Sequence, residues 1–228
     1  MENCLRKFKI YKYGFTLAEV LITLVIIGVV AALVISPLIN TYVESSTVAK
    51  VKKGLSILGQ AKKLAETQNG PIEGWDFGEG ASAETASQFW NYLKPHISVA
   101  KDCGSSQNCY KNVTMKLLNG SEWANYNTNS NYYKIVLADG SVMWFRTGAA
   151  GDAGKCTVSN GGIDKACAIF WYDVNADKSP NTLGRDIFVY IVSVDGVYPN
   201  LNNDCTKNST GWGCSSYIVK NSNMNYLH

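Results

Sequence analysis

The sequence predicts an α+β fold: one long N-terminal helix laid on an antiparallel sheet of about four strands. Three observations predict it. Residues 15–39 form an apolar run with a single charge, residues 40–68 continue with an apolar stripe at helical spacing, and the C-terminal half carries apolar segments, two of which end in Asp-Gly turns. A helix with one apolar side and a sheet with an apolar face bury each other.

The run Phe15–Ile39 is 25 residues long and Glu19 is its only charge. About 20 apolar residues suffice to cross a bilayer, and a core helix of this length and purity is out of proportion to a chain of 228 residues. A short leader, residues 1–14, precedes it. Arg6, Lys7, Lys9 and Lys12 stand there against Glu2, which accounts for the whole net charge of +3 and leaves the remainder neutral. Basic residues stay on the cytoplasmic side, so residues 1–14 are expected inside and the rest outside. A secretory signal has a shorter apolar stretch and a small-residue cleavage site. Here Ser36-Pro37 leads straight into further helix, so the segment is read as retained. The carboxylate of Glu19, with no partner in its own segment, asks for one from elsewhere.

Beyond the run, Val48, Val51, Leu55, Leu58 and Ala65 recur at helical spacing, while Lys50, Lys52, Lys53, Lys62, Lys63 and Glu66 take other faces. That is an amphipathic helix, which Asn69-Gly70-Pro71 ends. The lysines at 50, 52 and 53 read as a solvated face, and a neutral body gives no electrostatic reason to expect nucleic acid as a partner. Glu84–Lys94 reads as a short helix with Phe89, Trp90 and Leu93 on one side. Residues 101–112 read as a polar loop. Four strands follow: 132–138 and 141–146 around Asp139-Gly140, then 167–172 and 186–193. The six tryptophans are core candidates, with Trp212 between two glycines also readable as an exposed contact.

Cys4 lies in the leader. The other six cysteines fall as close pairs: Cys103/Cys109, Cys156/Cys167 and Cys205/Cys214. Six cysteines admit many pairings, of which this one is preferred. The spacings do not match the tight spacing of zinc sites, and disulfides outside the cytoplasm are the better reading. No nucleophile–base pair is visible, so no enzymatic activity is expected, and no cofactor is required. Asp173, Asn175, Asp177 and Asp186 lie in a loop whose start has the alternating oxygen ligands of a calcium loop, D-x-[DN]-x-[DN]. Its central glycine and its twelfth-position glutamate are missing. The alternative is a polar loop held by Asx turns.

The residues Gly14-Phe15-Thr16-Leu17-Ala18-Glu19-Val20-Leu21, with Gly28 and Pro37 downstream, resemble the N-terminus of type IV pilins and type II secretion pseudopilins. The resemblance is close over residues 14–39. It implies a pilin-like fold, in which residues 15–39 are a transmembrane and polymerisation helix and residues 40–228 an extracytoplasmic head. It also implies that a prepilin peptidase cuts after Gly14 and methylates the amine of Phe15. Glu19 then pairs with the N-terminal amine of a neighbouring subunit. The implied partners are homologous pilin subunits, the peptidase, an inner-membrane assembly platform and membrane lipid. The implied location is the bacterial inner membrane, then a periplasmic or cell-surface filament. The competing reading is a single-pass anchored binding domain or enzyme that does not polymerise.

Overall fold

The computed structural model of the chain describes residues 14–123, 126–148, 155–176 and 178–228. The chain divides into two compact units, Met1–Val43 and Glu44–His228. Helix α1 (Leu17–Asn69) begins in the first and ends in the second.

In the first unit α1 presents apolar side chains all round. Leu21, Ile26, Leu33 and Ile39 are each more than half exposed. The helix is long and apolar enough to cross a membrane. A helix that is apolar on every side has no polar face to turn to water, and its stable surroundings are apolar ones.

In the second unit the rest of α1 is amphipathic in the expected way. Val51, Leu58 and Ala65 are buried, with Val48 and Leu55 packed beside them. Gly70, at φ +78°, closes the helix by donating its N–H to Glu66 O at 2.9 Å, as a left-handed C-terminal glycine does. Lys52 and Lys53 are exposed, as a solvated face requires, while Lys50 is partly buried. Lys62 is only 5% exposed, and its Nζ donates to Val194 O and Glu66 Oε1. Lys50 Nζ donates to Val174 O, Lys52 Nζ to Ser222 Oγ, and Lys53 pairs with Asp139. Their ammonium groups reach polar atoms of the head.

A second helix, α2 (Ala83–Leu93), starts at a capping box in which Ser82 and Thr85 satisfy each other's backbone N–H. Phe89 and Trp90 project from it into rings of the sheet. Phe89 lies 6.3 Å from Phe145 and 6.4 Å from Phe170, and Trp90 lies 5.9 Å from Tyr133.

The sheet is wider than expected. Among the described residues seven strands form it: β1 (Val99–Gly104), β4 (Tyr133–Leu137), β5 (Val142–Thr147), β6 (Val158–Asn160), β7 (Ile163–Asp173), β8 (Ile187–Ser193) and β9 (Val197–Pro199). The order is β1-β4-β5-β7-β8-β9, with β6 also on β7, and every pairing is antiparallel. A separate ribbon joins β2 (Met115–Lys116) to β3 (Glu122–Trp123). The four strands read from sequence are β4, β5, β7 and β8. The additional strands are short, polar or at an edge, where alternation is too brief to register. Thus β1 lies in a stretch read as polar loop, and its middle residues are exposed. A third helix, α3 (Cys214–Asn221), begins at the end of an Asn- and Ser-rich stretch.

Both faces of the central strands are buried. Toward α1 and α2 lie Met143, Phe145, Phe170, Tyr172, Phe188 and Tyr190. On the opposite face Trp144, Ile169, Trp171, Val189 and Ile191 form a second core with Met115, Tyr132 and Leu183. Half-buried Trp123, Tyr126 and Trp212 close it, with Trp212 edge-on to Trp123 and Trp171. Strands buried on both sides are apolar at successive positions, and β8 is buried at every residue.

Two measurements test this packing. An added Cβ on Gly54 would lie 2.8 Å from the Tyr172 ring and 3.2 Å from the Tyr190 hydroxyl. Glycine to alanine in an exposed helix gains about 1 kcal/mol; here Gly54→Ala is expected to lose about 1–3 kcal/mol in thermal unfolding, and a gain would show that α1 is not pressed against Tyr172. The second test concerns Asp139, whose Oδ2 lies 2.6 Å from Lys53 Nζ. Burial opposes its ionisation, but hydrogen bonds from Lys53 and Ser141 outweigh it and hold the carboxyl down to about 2. A carboxyl depressed in the fold stabilises above its unfolded value of about 4 and loses that contribution as pH falls through the folded one. Asp139→Asn is therefore expected to flatten the acid limb of stability between about pH 4 and pH 2. The effect should be at most about 1 kcal/mol, since the pair is partly exposed, and superimposable wild-type and variant curves would remove the ion pair from the account.

Candidate functional site

The first turn of α1 holds the residues singled out by sequence. Gly14, Phe15 and Thr16 are exposed and outside the helix, and Phe15 is 87% exposed. The Gly14–Phe15 peptide bond thus lies in accessible, non-helical backbone just before the helix starts at Leu17. A peptidase needs such backbone, since helical bonds would have to be broken first.

Thr16 and Glu19 are joined reciprocally. Glu19 Oε2 accepts from the Thr16 N–H and from the Thr16 hydroxyl, both at 2.8 Å, and Thr16 Oγ1 accepts from the Glu19 N–H at 3.2 Å. The Val20 N–H donates to Thr16 O at 3.2 Å and opens the helical ladder. This is a capping box with threonine at the N-cap and glutamate three positions on. It corrects the expectation that Glu19 has no partner in its own segment. The signal for it in the sequence is T-x-x-E, Thr16-Leu17-Ala18-Glu19. The cap does not neutralise that charge: a hydroxyl, an amide N–H and the positive end of the helix dipole are partial charges. Glu19 Oε1 accepts no hydrogen bond among the described residues.

The cysteines form three short-range disulfides, Cys103–Cys109, Cys156–Cys167 and Cys205–Cys214. Each ties a loop to a regular element: β1, β7 and α3 respectively. Cys4 lies outside the described residues.

The loop after β7 is organised around a buried acid. Asp186, 3% exposed, accepts from the Asn181 N–H at 2.8 Å and the Thr182 N–H at 2.6 Å, one with each carboxylate oxygen. Burial pushes its carboxyl up to about 6 against these bonds. Asp173 is buried, and Asp177 lies outside the described residues. The side-chain oxygens of Asn175 and Asn181 are buried without a hydrogen-bond partner among the described residues. Calcium takes six to eight oxygens. Asp186 is spent on the loop's own backbone, and among the described residues no group of three or more His, Cys, Asp or Glu is placed to hold a metal ion.

The capping box carries a prediction. Thr16→Ala removes both side-chain bonds of the box and is expected to cost the first turn about 1 kcal/mol, while Thr16→Ser retains them. Amide hydrogen exchange at Leu17–Leu21 in detergent micelles checks this. Equal protection in both variants would mean that the box does not hold the turn.

Comparison with known proteins agrees with the location of this site. Residues 11–35 match the family described as the prokaryotic N-terminal methylation motif. No curated protein and no solved structure matches the chain. The exposed Gly14–Phe15 bond, the Glu19 cap and the apolar start of α1 all fall in or beside the matched segment. Over these residues the chain carries the prepilin-type motif of the type IV pilin and pseudopilin family, the mark of a pilin-like precursor processed by prepilin peptidase.

Proposed function

We propose that this chain is a structural subunit of a type IV pilus or a type II secretion pseudopilus. In this reading the precursor is held in the bacterial inner membrane by the first part of α1, with the head outside. Prepilin peptidase cuts after Gly14 and methylates the new amine of Phe15. The subunit then enters a filament with other pilin subunits on an inner-membrane platform. The disulfide-tied head agrees with an oxidising, extracytoplasmic setting.

One observation carries the reading: a carboxylate fixed in the first turn of α1, the single charge of residues 15–39, five residues past an exposed bond whose cleavage creates an amine. A charge at the centre of a membrane helix costs about 2.5–3.5 kcal/mol on insertion scales, and less near the end. The cap supplies dipoles to Glu19 Oε2, and Oε1 remains for a cation. The amine exposed by cleavage on a neighbouring subunit is such a cation. Their pairing offsets the cost of the charge and rewards one axial register.

Mass spectrometry of the membrane-extracted protein is expected to show loss of residues 1–14 and a methylated Phe15 amine. Glu19→Val is expected to be processed normally yet to yield few or no sheared filaments. An intact Met1 would favour a membrane-anchored domain that does not polymerise. Filaments at wild-type level from Glu19→Val would remove the inter-subunit role of the carboxylate.

A further inference from the structure

Three loops, with Leu227 near the C-terminus, enclose an open pocket of about 460 Å³ in the head. The ribbon turn 116–120, the segment 180–185 after β7 and the loop at 207–208 each contribute one cation: Lys116, Arg185 and Lys207. Asn119 and Asn208 add amides, Leu117 and Pro180 add apolar surface, and no Asp or Glu lines the pocket. All three cations are solvent-exposed. None of them belongs to an ion pair formed among the described residues.

The frame is fixed by backbone bonds. The Lys116 N–H donates to Asn181 O at 3.0 Å, and Lys116 O accepts from the Leu183 N–H at 2.9 Å. The Leu118 N–H donates to Thr210 O at 3.1 Å. Behind this wall the buried Asp186 carboxylate holds the Asn181 and Thr182 N–H groups. The third loop is tied down by Cys205–Cys214 and by Asp204, which accepts from the Gly213 N–H at 2.7 Å. Three like charges are thus brought around one cavity by elements that cannot easily separate. At ordinary salt their repulsion reaches over about 8–10 Å. An anion relieves it without moving the frame.

We propose that this pocket binds a small ligand through an oxyanion, a carboxylate, sulfate or phosphate, held by Lys116, Arg185 and Lys207. The volume lies in the range of small-molecule sites, about 300–1,000 Å³. Arg185 supplies the planar fork that matches an oxyanion, and the lysines supply point charges. A nucleic acid strand fits less well, because it calls for a basic track and the chain beyond its leader is neutral. The inference does not depend on whether the subunit polymerises.

The test is titration calorimetry of the detergent-solubilised full chain at constant ionic strength, with inorganic phosphate, sulfate, glucuronate and a short single-stranded DNA as separate probes. Saturable binding of at least one small anion is expected, and the anion preferred identifies the source chemistry. Arg185→Gln should weaken it about ten-fold or more. Lys207→Gln, in an exposed loop, should weaken it less, and Lys63→Gln on α1 should leave it unchanged. Thermal melting confirms that each variant is folded, and Lys207→Gln serves if Arg185→Gln is not. The proposal is overturned if no small anion binds saturably, or if the triple variant K116Q/R185Q/K207Q, folded, binds as well as wild type. It is also overturned if DNA binds more tightly than every small anion with a steep salt dependence, which would make the patch a nucleic-acid surface.

Discussion

The carboxylate of Glu19 sets the terms for the N-terminal segment. It is the one charge among residues 15–39, a stretch whose every other face asks for hydrocarbon. The chain answers half of that demand itself. Thr16 gives its N–H and hydroxyl to one carboxylate oxygen, and the helix begins there. Dipoles orient a carboxylate without discharging it, so a full positive charge from outside the segment is still favourable. The same threonine and glutamate therefore serve two ends: they fix where the helix starts, leaving the Gly14–Phe15 bond outside it, and they aim an anion in a defined direction. In the reading proposed above, processing and assembly are coupled because one cleavage both frees the helix end and supplies the counter-ion.

The head obeys a different constraint, the burial of both sheet faces. Trp144 stands opposite Trp171, and Phe145 opposite Phe170, across the β5–β7 pair. Each pair belongs to a different core. The first face is covered by α1 and α2 together with Trp75 and Phe77 after α1 and with Ile218, Met224 and Tyr226 near the C-terminus. Covering the second requires the connections between strands to fold back, and buried polar groups anchor them. Asp186 gathers the backbone after β7, and Lys134, fully buried, donates to Asn129 O and Tyr132 O. Burial lowers the Lys134 ammonium to about 8, so carbonyl oxygens, rather than water, hold its charge at neutral pH. The polar loops are thereby a structural layer, and the cationic pocket is built into that layer.

Where the sequence was legible, the signal was local. The stripe Val51, Leu58 and Ala65 specified the buried side of α1 because helical spacing alone puts those residues on one side. Asp139-Gly140 specified the β4–β5 hairpin because glycine takes the positive φ, here +82°, that the tight turn needs. Gly70 marked the end of α1 for the same reason. Where the reading fell short, the cause was usually non-local. Lys62 looks solvated until Val194, distant in sequence, is brought beneath it. β1 looks like polar loop because an edge strand pairs on one side only. The Thr16–Glu19 box is the exception, since its partners stand three residues apart.

The order of residues by itself determined the apolar segment with its acid, the place of cleavage expected beside it, the amphipathic continuation of the helix and the four central strands. Each follows from charge, hydropathy and turn chemistry within a few neighbouring positions. Tertiary structure alone decided the second core, the burial of Lys62 and Lys134, the service of Asp186 to its own loop, and the meeting of Lys116, Arg185 and Lys207. These depend on which distant segments share a surface, and no short-range periodicity encodes that; it is settled when the backbone donors and apolar faces of the whole head are satisfied together.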